Sequence, residues 1–146
     1  MLKQVQFNLP GRQNLSNDLI ALAMALEYGI PSQKLVKALA LYKGVKRRFT
    51  YQIKTKDLVF IDDYAHHPEE INAVHQAVRE MYPNDKVLAV FQPHLYTRTR
   101  DFGSEFARSL SQFDEVILLD IYPARELPIE GITSGWLLEQ INNPKK

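Results

Sequence analysis

Three short apolar runs, "LVFID" (58–62), "KVLAVF" (86–91) and "EVILLDIY" (115–122), constrain this chain more than any other feature of it. Each is rich in β-branched residues and none alternates strictly between apolar and polar, which is the pattern of parallel strands covered on both faces. The stretches between them, 69–82 and 101–112, repeat their apolar positions at helical spacing, and a third helix is expected to start near Thr133 or Ser134. That alternation is the order of right-handed βαβ units. The predicted fold class is therefore α/β, a doubly wound, mostly parallel sheet with helices on both faces. "FTYQI" (49–53) and the turn-like Lys54–Asp57 add a hairpin or an edge strand.

The first third of the chain reads differently. "NLSNDLIALAMALEYG" predicts a helix that Asn14 or Ser16 caps, that carries Leu19, Leu22, Ala23 and Leu26 on one face, and that Gly29 closes. A second, shorter helix is expected from Pro31 or Ser32, with Leu35, Val36 and Leu39 on one face, until Gly44 breaks it. The pattern changes after "KGVKRRF", which places a boundary near residues 43–48.

Composition limits the function classes. A formal net charge of +1 gives no global attraction to nucleic acid or to a membrane surface, so neither is expected as a partner. Without cysteine there is no disulfide framework and no thiolate metal site, which fits a reducing compartment. No secretory signal pattern opens the chain, and its longest apolar run, Leu19–Leu26, is too short to span a bilayer. The expected location is the cytoplasm.

In open α/β sheets, ligands bind beyond the carboxyl ends of the strands. The loops there are "DDYAHHP", "QPHLYTRTR" and "YPAREL", each dense in aromatic and ionisable groups. In the middle loop His94, Tyr96, Arg98 and Arg100 occupy every second position and share one face if the segment is extended. Two guanidiniums and an imidazole then make an anion clamp, since the arginine fork meets carboxylate or phosphate oxygens in pairs. The bland alternative is two solvated arginines near a helix start, although cations at a helix N-terminus oppose its dipole. In "DDYAHHP" one aspartate can end the strand or cap the next helix while His66 and His67 serve as half-buried hydrogen-bonders; a metal site is disfavoured because adjacent histidines seldom face one ion. His75 reads as a surface residue, and Asn14 and Asn17, three apart, read equally well as an N-cap pair.

Together, "PGRQNLSN", "GVKRRF", "DDYAHHPEE", "FQPHLYTRTRDF" and "YPARELPIEG" resemble, in order and over nearly the whole chain, the second half of a Mur ligase. Among these ligases the loops are most similar to those of the member that joins L-alanine to UDP-N-acetylmuramate. The resemblance implies a three-domain, ATP- and Mg2+-dependent enzyme of peptidoglycan precursor synthesis, with an N-terminal UDP-sugar domain, a central ATPase domain and a C-terminal Rossmann-like domain. It implies that residues 1–44 end the central domain, that 45–146 form the C-terminal domain, and that the other domains of the same enzyme are partners. No G-x-x-x-x-G-K-[ST] pattern is present, so most magnesium ligands and the phosphate cradle are expected elsewhere and the chain alone is expected to be inactive.

By position, the resemblance assigns Asn14, Asn17, Arg48 and Asp63 to the nucleotide, and Tyr64, His66, His94, Arg98 and Arg100 to the amino-acid and substrate-carboxylate side. Arg48, Asp63 and His94 are the catalytic candidates. Gln13 stands where the family commonly has histidine, and Leu95 where it often has a basic residue. Two other readings remain: a sister ligase that attaches a murein peptide to the same sugar acid, whose loop reads differently from "FQPHLYTRTRD", and a non-catalytic nucleotide- or phosphate-binding module, which the missing phosphate loop keeps open.

Overall fold

A computed structural model describes residues 5–142. The chain divides into two compact units, one running up to Tyr64 and including Gln76–Met81, the other comprising Ala65–His75 and the described residues from Tyr82 onward.

The first unit opens with helices α1 (Arg12–Glu27) and α2 (Ser32–Leu41). Neither Asn14 nor Ser16 caps α1: the helix starts earlier, after Gly11 at φ 92°, and Asn14 lies in its first turn, donating its amide to Pro10 O at 2.6 Å. At the other end Gly29, at φ 88°, closes the helix, with its N–H on Leu26 O and that of Ile30 on Ala25 O. This is the paired-bond C-cap for which a residue without Cβ is favoured. The expected apolar stripe is mostly open, because Leu22 is buried while Ala23 is exposed and Leu19 and Leu26 are 48% and 39% exposed. In α2, Leu35, Val36 and Leu39 are the half-buried residues, as their spacing predicts. Its last carbonyls, orphaned as at every helix end, are taken up by the Asn8 side chain, which donates to Ala40 O at 2.8 Å and Tyr42 O at 3.2 Å.

Strands β1 (Thr50–Lys54) and β2 (Val59–Asp62) form an antiparallel hairpin, with Thr50 opposite Asp62, Lys54 opposite Val59, and a bulge between Tyr51 and Ile53. "FTYQI" is thus a hairpin strand, and it is the partner of "LVFID", whose apolar run alone suggested parallel neighbours. A four-residue turn held by Thr55 Oγ1 and Leu58 N, 3.0 Å apart, makes the antiparallel return the shortest closure available.

In the second unit, β3 (Leu88–Phe91) and β4 (Glu115–Leu118) pair in parallel, with Leu88 opposite Glu115 and Phe91 opposite Leu118. The helix α3 (Pro68–Met81), of which the part up to His75 belongs to this unit, places proline at its first position, where the missing N–H costs nothing, and Glu70 accepts from the N–H groups of His66 and His67 at 2.8 and 3.2 Å. The helix expected over 101–112 is α5 (Gly103–Leu110), and a further short helix, α4 (Tyr96–Asp101), precedes it and is separated from it at Phe102. Gly103 is where Trp136 lies closest: a Cβ there would sit 2.5 Å from the ring. The last helix, α6 (Ser134–Gln140), starts where expected, its cap Thr133 accepting from Trp136 N at 3.0 Å.

Phe91, Phe106, Leu110, Val116, Leu137 and Ile141 form the core under the parallel pair. On its other face Leu88, Val90, Ile117 and Leu119 are about half exposed among the described residues. His75, expected at the surface, is half-buried with its ring edge-on to Phe113 at 4.8 Å.

Leu110 is 1% exposed and Leu127 85% exposed. Leu110→Ala is expected to cost about 2–5 kcal/mol and Leu127→Ala under about 0.5 kcal/mol in chemical denaturation. Equal effects of the two would contradict this core.

Candidate functional site

Where β3 ends, the chain does not stay extended. His94 forms a parallel bridge to Tyr122, Leu95 takes φ 74°, and α4 begins at Tyr96. The face expected for His94, Tyr96, Arg98 and Arg100 therefore does not exist, since residues two apart on a helix diverge by about 200°. Arg98 is half-buried, whereas Arg100 is exposed and spends its Nε on Asp101 Oδ1 at 2.7 Å, which holds its already high pKa higher still. One arginine of the expected pair is in the cluster.

What gathers there is His94, His66 and Arg98, with Tyr122 and Glu126. The His94 ring stacks on Tyr122, centroids 5.3 Å apart and planes at 27°, and lies 6.4 Å from the His66 ring. Burial holds the His94 pKa below its ordinary value, and the nearby Arg98 and His66 push it the same way against the weaker opposing pull of Glu126. The imidazole is thus kept neutral. His66 Nδ1 lies 3.3 Å from Glu70 Oε2. Glu126 is kept ionised below the usual carboxylate range, first by hydrogen bonds from Thr97 and also by the Arg98 charge.

Two polar atoms in this cluster, His94 Nδ1 and Arg98 Nη1, are buried without a hydrogen-bond partner. Buried polar atoms are nearly always paired, and an orphaned guanidinium nitrogen is a donor waiting for an oxygen. A neutral imidazole and a half-desolvated guanidinium side by side suit a carboxylate or phosphate oxygen.

The remaining candidates belong to the first unit. Asp63 accepts from Phe49 N at 2.7 Å and so ties down a buried residue at φ 47°. Tyr64 donates its backbone N–H to Arg47 O at 2.8 Å and carries the Arg47 guanidinium 4.8 Å over its ring, a contact of the first "KRRF" arginine that the sequence did not single out. Arg48 is exposed and lines a groove of about 540 Å³ with Asn8, Tyr42, Phe49 and Tyr51. Asn14 is engaged with Pro10, and Asn17 is exposed on α1. Among the described residues no group of three or more His, Cys, Asp or Glu is placed to hold a metal ion.

Glu126, Tyr122 and Glu70 also escaped sequence reasoning as site residues. The ionisable character of "YPAREL" was visible, but which of its groups reach His94 depends on how the turn after β4 bends.

Comparison with known proteins places the chain in a family. Residues 47–145 match the family model "Mur ligase, glutamate ligase domain". The chain is 67% identical over 145 residues to the UDP-N-acetylmuramate–L-alanine ligase of Flavobacterium psychrophilum, covering 99% of this chain and 32% of that protein. It is 48% identical to the ligase of the same name from Porphyromonas gingivalis over 99% of the chain and 32% of that protein. Among solved structures, the UDP-N-acetylmuramate–alanine ligase of Thermotoga maritima superposes with a TM-score of 0.72 at 31% identity, over 83% of this chain and 27% of that one. A folylpolyglutamate synthase from Mycobacterium tuberculosis, at 18% identity and TM-score 0.69, shares the fold. The chain spans about a third of the length of the curated relatives it matches. It belongs to the Mur ligase family and carries that family's glutamate ligase domain.

Proposed function

We propose that this chain is the C-terminal portion of an ATP-dependent UDP-N-acetylmuramate–L-alanine ligase of peptidoglycan precursor synthesis, working in the cytoplasm together with the N-terminal and central domains of the same enzyme. Residues 1–44 end the central domain on this reading, and 45–146 form the C-terminal one; the family match beginning at residue 47 supports that division. The observation that carries the reading is the 67% identity along 99% of the chain to a ligase of that name. The Arg98–His94 cluster supplies chemistry that such a ligase needs.

A carboxylate is a poor electrophile. Moving the γ-phosphate of ATP onto the muramyl carboxylate makes it reactive, and the amine of L-alanine then displaces phosphate. Both steps crowd anionic oxygens together, so positioned cations matter more than a protein nucleophile. Arg98 binds the carboxylate of the incoming amino acid through its unpaired Nη1, and His94, neutral at physiological pH, offers a hydrogen bond without adding a second charge. The resemblance assigns His66 and Tyr64 to the substrate as well, and Arg100 takes at most an outer, solvent-screened part. Arg48, Asp63, Asn14 and Asn17 serve the nucleotide side by the resemblance, and of these Arg48 lines a groove. Mg2+, when bound, would offset phosphate charge; its ligands are expected in the rest of the enzyme, since no G-x-x-x-x-G-K-[ST] pattern is present in this chain.

The test is L-alanine-dependent phosphate release by the complete polypeptide, which fails if the chain belongs to another ligase. In that enzyme Arg98→Ala is expected to raise the KM for L-alanine or the sugar acid by roughly 30-fold or more, as for a desolvated charge partner, and to leave the KM for ATP within about threefold. Arg98→Lys keeps the charge without the fork and should recover little. If every constant stays within about threefold, Arg98 is an ordinary surface arginine.

His94 gives a second check. Its folded pKa lies below the unfolded value near 6.5, so the unfolded chain binds more protons as the pH falls; its contribution to stability is complete above about 6.5 and declines with acidification. The imidazole should titrate by NMR with a midpoint below 6.5, and a midpoint at or above that value would contradict the burial described.

A further inference from the structure

The turn that follows β4, Tyr122–Glu126, grips the His94–Arg98 cluster at three points. The Tyr122 ring stacks on His94. Its backbone brackets the same residue, with Tyr122 N donating to Pro93 O at 2.8 Å and Leu95 N donating to Tyr122 O at 2.9 Å. The third grip is Glu126, whose Oε2 accepts from Thr97 N at 3.0 Å and whose Oε1 accepts from the Thr97 hydroxyl at 2.5 Å.

The last contact is the informative one. The helix α4 is six residues long and its N-cap, Leu95, provides no side-chain acceptor, so the N–H groups of the first turn need a partner from elsewhere. Glu126, 29 residues away in sequence, provides it. Both of its oxygens accept from Thr97, and it makes no ion pair with Arg98, one residue further on. Its negative charge is close enough to act on Arg98 and Arg100, yet it is not bonded to the Arg98 fork. Both ends of the grip hold non-glycine residues in the left-handed region, Leu95 at φ 74° and Ala124 at φ 51°, a conformation kept only where surrounding contacts enforce it.

We propose that Glu126, assisted by Tyr122, is a positioning residue for the amino-acid clamp: by fixing the first turn of α4 it sets the direction of Arg98 and the seat of the His94 ring. This rests on the reading of Arg98 and His94 given above. A carboxylate substrate approaching Arg98 meets a guanidinium already aimed, and misplacement of such a group by about 1 Å is enough to cost on the order of 100-fold.

The experiment compares Glu126→Ala, Glu126→Gln, Thr97→Val and Arg98→Ala in the complete ligase, with each substrate varied in turn, and follows His94 by NMR in this chain. Glu126→Ala is expected to raise the KM for L-alanine about tenfold or more with the KM for ATP within about threefold, and Thr97→Val to do the same more weakly. Glu126→Gln keeps the shape but removes the charge that opposes the depression of His94, so the imidazole midpoint should move further down. A residue that merely holds the fold would change all substrates alike, and that result, or an L-alanine KM within about threefold of wild type, overturns the inference. If Arg98→Ala is silent, the clamp reading itself fails. The His94 midpoint then decides separately, and an unmoved midpoint in Glu126→Gln removes the positioning role as well.

Discussion

The parallel register of β3 on β4 is the constraint from which the site follows. Leu88 opposite Glu115 and Phe91 opposite Leu118 set it, Leu119 N carries it on to Phe91 O at 2.9 Å, and the His94–Tyr122 bridge ends it. Parallel strands deliver their carboxyl ends side by side, so the residues after β3 and those after β4 emerge next to each other. That is why Glu126, far away in sequence, reaches Thr97 in the helix turn that carries Arg98. A slip of one residue would turn Phe91 and Val116 away from Phe106, Leu110 and Leu137, and the burial of that face is what holds the register. The site is thus only as precise as the core beneath it.

Much of this was legible beforehand, for identifiable reasons. β3 and β4 are short apolar runs rich in branched residues, and α6 begins at a threonine with a free N-terminal turn to cap; such signals are local. The partner of β2 was not legible, because an apolar run does not say which neighbour it pairs with, and the tight turn at Thr55–Leu58 decides. The stretch from Tyr96 stays open in the sequence between an extended segment and a helix start, because the alternation of His94, Tyr96, Arg98 and Arg100 has the period of a strand, while the Glu126 carboxylate that caps the helix there comes from another loop. Long-range caps leave no local trace. In α1 the expected core stripe is real as a pattern, yet Leu19 and Leu26 stay open, since periodicity shows which residues share a face and not what covers it.

The local geometry at Leu95 fits this arrangement. Its backbone, at φ 74°, donates its N–H to Tyr122 O at 2.9 Å. With Leu95 in place and Arg100 paired to Asp101, the cluster presents one guanidinium and one neutral ring. Such an arrangement orders a single carboxylate by geometry more than by net charge.

The most direct measurement is NMR of the Arg98 guanidinium and His94 imidazole in the complete enzyme loaded with nucleotide and sugar acid, as L-alanine or alaninamide is added. The two differ in the carboxylate alone. L-alanine should shift both side chains saturably while alaninamide leaves them in place; equal responses to the two, or none to either, would contradict the assignment of this cluster to the amino-acid carboxylate.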